Sequence, residues 1–436
     1  MIRVFFSTFI AALCLVNCGG TPVLPGDLGK TTDGVLVPCE PIRGQLRSCL
    51  VLANPNNENI KVLDATIRQF MLAPRGYATL SVPVGAGTSR LASAPELDFV
   101  LALDTVQNKV YRVRTRGYSN ETPTFAVAVT YDAPRQGSAG AVDFALAKVG
   151  GQSEYSLIYA LPNSLRIVPI DNATALQNLS SEYAIDFSPR IISSVAVSSA
   201  GAEQGDGYLA IAFEDDGTFG TDPKGTVEVI KLSSITTKAN NFTRISIGGF
   251  ASQMRLSNLT FDGQPAAIPF LFAVRSDGDS LKEEVLAPYE LVATRIDKDP
   301  NPDPVRKQFE HLLTALYLPS QGTKQGPQPC CGGSKRWAAV TTVRGSFHYV
   351  TVGDLVSVNG NPTELTDAQV VNLSDDTSLG SQATFPTAIF GGRIELPPGV
   401  TPDENANCQN RIFITFQSGL LASACEGQKG ISKVGL

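Results

Sequence analysis

The sequence predicts an all-β chain built from repeated four-stranded units. Three observations carry that expectation. Short apolar hairpins recur along the chain, weaker strand material fills the intervals between them, and Asn, Gly, Ser and Pro punctuate the boundaries. The 436 residues are 43% hydrophobic and 17% charged, with 39 Gly and 28 Pro. That is too apolar for a disordered chain and too rich in helix breakers for a helical one.

The first hairpin sets the pattern: Leu50–Ala53 and Ile60–Leu63 flank a turn of Asn54, Pro55, Asn56 and Asn57. Phe99–Leu103 with Lys109–Val113 follows, then Ser156–Leu161 with Leu165–Ile170. Tyr208–Phe213 with Val227–Leu232 and Pro269–Val274 with Tyr289–Ile296 enclose longer polar inserts. Trp337–Val343 with Phe347–Val352, and Arg411–Phe416 with Leu420–Ala424, complete the series. Apolar β-branched and aromatic runs bounded by turn formers are the mark of hairpins. The hairpins begin 49 to 74 residues apart, more than one hairpin needs. Ala78–Val82, Thr124–Val129, Ser194–Val197 and Arg244–Ile247 supply further strands. Four strands at this period describe a β-propeller blade, whereas a sandwich would not regroup its strands in fours. The expectation is a seven-bladed propeller over residues 35–436, with six or eight blades left open by the drift of the late periods. Ringing the sheets buries both faces of each. Closure is expected from N- and C-terminal strands pairing in one blade.

Val51-Leu52-Ala53-Asn54 followed by Asn59-Ile60-Lys61-Val62-Leu63-Asp64 resembles the YVTN-type propeller repeat. In that family a strand ending in Asn leads through a polar turn to Asn-x-Val-x-Val-Ile-Asp. Phe99–Val113 is similar, with Asp104 in place of the Asn and Arg112 near the closing acid. The other units share only strand rhythm. The resemblance implies a propeller and a cell-surface setting, and it transfers no catalytic residues.

Met1-Ile2-Arg3 precedes an apolar run, Val4 to Val16, too short to anchor across a bilayer. It ends Leu15-Val16-Asn17-Cys18-Gly19-Gly20, which resembles a bacterial lipoprotein signal, although Asn17 departs from the usual small residue. The resemblance implies a signal peptide over 1–17, acylation of Cys18 (including palmitate), and anchorage through several acyl chains, which hold where one does not. Gly19 after the Cys implies sorting to the outer membrane. The alternative is an ordinary secretory signal cleaved near Gly19. Residues 18–34 read as a lipidated Cys and flexible tether, reaching about 45 Å at full extension.

Six cysteines remain for an exported chain, and disulfides are their natural state. Cys39–Cys49 and Cys408–Cys425 each bracket a short stretch and rank first. Cys330 and Cys331 are left to each other, although adjacent Cα atoms lie only about 3.8 Å apart and strain such a bond. A bond between the N- and C-terminal pairs is the rival.

Chemistry is sparse. Formal charge is −6 with no Lys/Arg cluster, so nucleic acid is not an expected partner. His311 lies in Phe309–Leu318, a segment compatible with a helix, and His348 lies within a strand. Neither accompanies a Gly-x-Ser-x-Gly elbow, and Gly85-Ala86-Gly87 lacks the rest of a dinucleotide fingerprint. No catalytic residue is assigned. The metal candidate is Asp297, Asp299, Asn301 and Asp303, whose alternating oxygens could converge on Ca²⁺. Pro302 and Gln308 break the EF-hand pattern, and a solvated loop is the competing reading. No other cofactor is implied.

Long connections on a rigid scaffold are where binding usually resides. Segments 214–226, 275–288 and 297–336 are therefore expected to form one binding face, with Asp215, Asp216, Asp277, Asp279 and Trp337 as candidates. The functional expectation is an outer-membrane lipoprotein that binds or scaffolds an envelope protein without catalysis. A hydrolase or lyase using the central channel, and a glycan-binding adhesin, are the rivals.

Overall fold

The computed structural model describes residues 28, 31–42, 45–72, 79–94, 96–116, 125–150, 154–170, 183–198, 207–214, 226–236, 240–247, 250–259, 268–276, 289–297, 304–318, 337–352, 364–376, 379–380, 383–401, 407–426 and 430–434. Their strands form seven antiparallel sheets, each a meander of consecutive strands.

Blade 1 holds β1 (Asp33–Ile42), β2 (Gln45–Asn54) and β3 (Asn59–Asp64), with its outer position split between β4 (Gln69–Phe70) and β5 (Ser81–Pro83), which pair opposite ends of β3. Blade 2 holds β6 (Thr88–Ala92), β7 (Phe99–Asp104), β8 (Lys109–Arg114) and β9 (Ala126–Asp132). Blade 3 holds β10 (Asp143–Ala147), β11 (Ser156–Leu161), β12 (Ser164–Pro169) and β13 (Tyr183–Asp186). Blade 4 holds β14 (Ile191–Val197), β15 (Tyr208–Glu214), β16 (Thr226–Lys231) and β17 (Thr243–Ser246). Blade 5 holds β18 (Phe250–Leu259), β19 (Ile268–Ser276), β20 (Tyr289–Arg295) and β21 (Val305–Phe309). Blade 6 holds β22 (Leu313–Tyr317), β23 (Trp337–Thr342), β24 (Ser346–Val352) and β25 (Leu365–Asn372). Blade 7 holds β26 (Pro386–Arg393), β27 (Asn410–Phe416), β28 (Leu421–Cys425) and β29 (Ile431–Lys433). The chain is a seven-bladed β-propeller. Each hairpin read from the sequence is the second and third strand of a blade.

The first strands β1, β6, β10, β14, β18, β22 and β26 touch one another in succession around the ring, so they line its centre. Adjacent blades are joined by apolar clusters, one at each junction among the described residues. Alternate residues of one strand serve different neighbours. Leu50 and Leu52 pack toward blade 7, while Val51 between them packs toward blade 2. Burial on both faces explains why these strands read as continuous apolar runs rather than as alternation. Each fully buried Leu or Val contributes roughly 1.5–3 kcal/mol.

The acids of the repeat-like motif close turns. Asp64 Oδ1 accepts the amides of Thr66 (3.0 Å) and Ile67 (3.3 Å). Asp104 Oδ1 accepts those of Val106 (2.9 Å) and Gln107 (2.8 Å). The Asp104 carboxylate also explains Gly85 and Gly87, since a Cβ at Gly85 would fall 1.5 Å from Asp104 Oδ2.

Three expectations need correction, while the two first-ranked disulfides hold. The segment 309–318 is strand, turn and strand rather than helix, because a short apolar run buried on both sides carries no decisive period. The ring closes without a shared blade: blade 1 uses only N-terminal strands and blade 7 only C-terminal ones. Closure comes from packing of Leu50, Leu52 and Leu63 against Phe390, Phe413 and Leu421, and from the Glu395 amide donating to Ser48 Oγ at 2.9 Å. The disulfides Cys39–Cys49 and Cys408–Cys425 form, each with Cα atoms 5.7 Å apart, which excludes a bond between these two pairs. Finally, the ordered ring begins inside the stretch read as tether, with Leu28 buried and β1 starting at Asp33. Cys18, Cys330 and Cys331 lie outside the described residues.

Trp337 is a core residue, not part of a binding loop. It is fully buried, packed edge-on against Tyr349 at 5.1 Å and tilted against Tyr317 at 6.4 Å. As the sole tryptophan it reports on the junction of blades 6 and 7. Its native emission is expected to be blue-shifted and resistant to acrylamide. Trp337→Ala is expected to cost about 3–5 kcal/mol in chemical denaturation, as for other buried Trp truncations.

Candidate functional site

The ring encloses a central cavity of about 470 Å³, lined by the first strands and lying within the usual range for small-molecule sites. Four charged side chains face it: Asp33 on β1, Arg90 on β6, Asp143 on β10 and Arg255 on β18. Sequence reading singled out none of them. The signal was their common place on the inner strand of a blade, which emerges only once the blades are aligned.

Most of this polarity is already used between blades. Asp33 Oδ2 accepts the Leu91 amide of blade 2 at 2.8 Å, and Asp33 Oδ1 accepts the Gly34 amide at 2.8 Å. Asp143 Oδ2 accepts the Val195 amide of blade 4 at 3.0 Å, while its Oδ1 receives Arg90 Nε of blade 2 at 2.9 Å. Gln253 of blade 5 spans to blade 6 in both directions, accepting the Leu316 amide at 2.9 Å and donating to Thr314 O at 2.8 Å. These contacts satisfy backbone groups on the inner sheet edges that no strand pairs.

The electrostatics follow. Water reaches Asp33 and Arg255 along the bore, yet protein surrounds both. Burial pushes the Asp33 carboxyl above the usual carboxylate range, and Arg90, the Leu91 amide, Arg255 and the Gly34 amide offset this only in part. Asp143 holds the Arg90 guanidinium above its ordinary value, and burial lowers Arg255.

The remaining candidates lie elsewhere. Asp297 is clasped by Arg295, whose Nη2 donates to Oδ2 at 2.8 Å and whose Nε meets Oδ1. A Ca²⁺ using Asp297 would have to break that pair. Asp299, Asn301 and Asp303 lie outside the described residues, as do Asp215, Asp216, Asp277 and Asp279. Among the described residues no group of three or more His, Cys, Asp or Glu could hold a metal. In a meander, second-to-third strand connections share a face with blade-to-blade connections. The inserts 215–225 and 277–288 therefore leave from one face of the ring, and 298–303 and 319–336 from the other. The single binding face expected from the sequence is split in two.

One arrangement the sequence did not reveal joins Ser346, His348 and Asp367. Ser346 Oγ is 2.9 Å from His348 Nε2, and Asp367 Oδ1 is 3.4 Å from Nδ1. This order has the connectivity of a hydrolytic triad, but its parts are otherwise engaged. Ser346 Oγ lies 2.5 Å from Thr342 Oγ1, Asp367 Oδ2 pairs with Lys307 at 3.0 Å, and Nδ1 has no well-aligned partner. The ring packs edge-on against Phe309 at 5.2 Å, and none of the three lines the central cavity. The cluster ties blade 6 to blade 5. The buried Glu228 and Glu290 are likewise structural: Glu228 takes Arg190 and Arg244, and Glu290 takes Arg275 and Arg306.

No family model matches the chain, and no curated protein matches it. Among solved structures it is similar to hydrazine synthase of Kuenenia stuttgartiensis, at 11% identity over 96% of this chain and 98% of that one, with a TM-score of 0.45. It is also similar to a functionally unknown protein of Desulfotomaculum acetoxidans, at 12% identity, 88% and 98% coverage and a TM-score of 0.45. Hsv2 of Kluyveromyces lactis shows 9% identity, 91% and 92% coverage and a TM-score of 0.43. At these scores the likenesses transfer no activity, and the blade count rests on strand pairing.

Because its folded pKa is raised, Asp33 disfavours the native state once it ionises. Wild type should lose stability relative to Asp33→Asn as pH rises from about 3.8 through the folded pKa, after which the gap levels off. Melting temperatures measured across that window check this. A gap independent of pH would show that Asp33 titrates normally.

Proposed function

We propose that the chain is a lipid-anchored propeller that binds or scaffolds a protein of the outer envelope without catalysing a reaction. The observation that carries this reading is in the bore. Its two acids, Asp33 and Asp143, and the Gln253 amide are committed to backbone groups of the next blade. The lipoprotein-like signal ending at Cys18 supports the anchor and the outer-membrane setting. The working face is the one from which 215–225 and 277–288 depart. Val106, Val142, Leu312 and Phe385 are exposed there, on blade 2 and on the connections entering blades 3, 6 and 7. Phe385 also holds a left-handed φ of 55°, an unfavourable conformation for a bulky residue and one that clusters at functional positions.

The raised Asp33 carboxyl is the one observation that favours the hydrolase or lyase reading, since perturbed acids in clefts mark active sites.

Two experiments test the proposal. Cys18→Ala should release the protein from membranes and abolish palmitate labelling, whereas retention of both would remove the lipid anchor. Cross-linking in native membranes with mass spectrometry should recover one envelope protein in near-equal amount. Phe385→Asp combined with Val106→Asp should cut that yield roughly tenfold while leaving the fold intact, as interface hot spots do. No stable partner, or an unchanged yield, would overturn the scaffold reading.

A further inference from the structure

A single carboxylate at the rim of blades 5 and 6 faces two basic side chains. Asp367 on β25 presents Oδ2 to Lys307 Nζ of β21 at 3.0 Å and Oδ1 to His348 Nδ1 of β24 at 3.4 Å. The first contact crosses the blade boundary, while the second stays inside blade 6. The side chains of Lys307 and His348 are only 19% and 14% exposed, and that of Asp367 is 32% exposed. The outer strands β21 and β25 touch here. Val305 and Phe309 of β21 reach the apolar core of the junction only at its margin, as half-buried residues. Among the described residues, Lys307–Asp367 is the one ion pair that joins the two outer strands.

The state of His348 decides how that carboxylate is shared. Nε2 already meets Ser346 Oγ at 2.9 Å, whereas Nδ1 is buried with no well-aligned partner. A neutral imidazole has one N–H, and the imidazolium has two. A second proton therefore supplies donors on both nitrogens, with Ser346 Oγ and Asp367 Oδ1 as their acceptors. The new positive charge also repels the Lys307 ammonium. Asp367 and Lys307 are the charged groups that act on the ring. Arg306, next to Lys307, is held by Glu290, and Phe309 offers only its neutral ring. Burial lowers the His348 pKa below the ordinary imidazole value of 6.5; Asp367 opposes this and Lys307 adds to it. The folded state thus resists protonation, and stability contributed by the neutral ring is lost as pH falls from about 6.5 through the folded pKa.

We propose that Asp367 is a pH-operated latch between blades 5 and 6. With His348 neutral, Asp367 holds Lys307 across the boundary. With His348 protonated, the carboxylate is drawn to Nδ1–H, Lys307 is released, and β21 loosens from β25. The apolar core of the junction stays closed, so the change is confined to the outer rim. The latch operates with or without a lipid anchor or an envelope partner.

Hydrogen–deuterium exchange of the purified full-length chain tests this. It is read by mass spectrometry at about pH 7.5 and about pH 5, either side of the imidazole range, and corrected for the intrinsic pH dependence of exchange. Peptides covering 305–309 should lose protection about threefold at the acid pH, the scale of a partly exposed ion pair. The outer strand of blade 2, 126–132, should not change. Lys307→Met should show the reduced protection already at the higher pH, with no further acid loss. His348→Gln should keep wild-type protection at both pH values. Should His348→Gln fail to fold, the wild type and Lys307→Met decide. No acid loss at 305–309 in the wild type, a loss shared equally by 126–132, or an undiminished acid loss in either variant would overturn the proposal.

Discussion

A ring of antiparallel sheets leaves the inner edge of every blade without a strand to pair with, and the backbone groups on that edge still need partners. This chain meets the requirement with side chains from the preceding blade. Asp33 caps Leu91, Asp143 caps Val195, and Gln253 caps Leu316, each across a blade boundary. The same contacts tie neighbouring blades together where they are narrowest. Arg90 adds a fourth link by bridging blade 2 to Asp143 of blade 3. Polar residues that could be mistaken for a catalytic set are thereby explained as edge satisfaction.

Outside the bore the ring is held by apolar packing. Consecutive residues of the second strands face opposite neighbours, so each blade is glued on both sides by the same short segment. This also accounts for the way the ring closes. A shared blade is one solution to joining the ends of a propeller. Here the junction of blades 7 and 1 has an apolar cluster like those elsewhere, including Leu28 ahead of the first strand, and one hydrogen bond from Glu395 to Ser48. The two terminal disulfides reinforce blades 1 and 7 individually rather than bridging them.

The seven hairpins were legible because their strands are apolar on both faces and their turns carry strong local signals, such as Asn54-Pro55-Asn56-Asn57 and Arg344-Gly345-Ser346. Both bracketing disulfides were legible for the same local reason. The inner strands were mostly not: β6 and β22 are short, only Ser194–Val197 of β14 was read, and the partners these strands join are 52 to 63 residues apart in the chain. No local rule relates Asp143 to Val195 or Arg90 to Asp143. Trp337 was misplaced because it follows a Gly- and Ser-containing stretch that reads as loop, while its own strand turns it into the junction with blade 7. The binding inserts were grouped on one face because the sequence shows their lengths but not which strands they join. Strand order separates them at once. Of the metal candidate only Asp297 is described, and there Arg295 two residues earlier, on the same strand end, takes the carboxylate.

The most direct test of the inter-blade account is amide hydrogen exchange at Leu91, Val195 and Leu316. The account predicts that these inner-edge amides are protected, and that Asp143→Ala strips protection from Val195 while sparing Leu316, whose acceptor is Gln253. Fast exchange at all three in the wild type, or no change at Val195 in the variant, would contradict the claim that these side chains satisfy the inner edges and hold the ring.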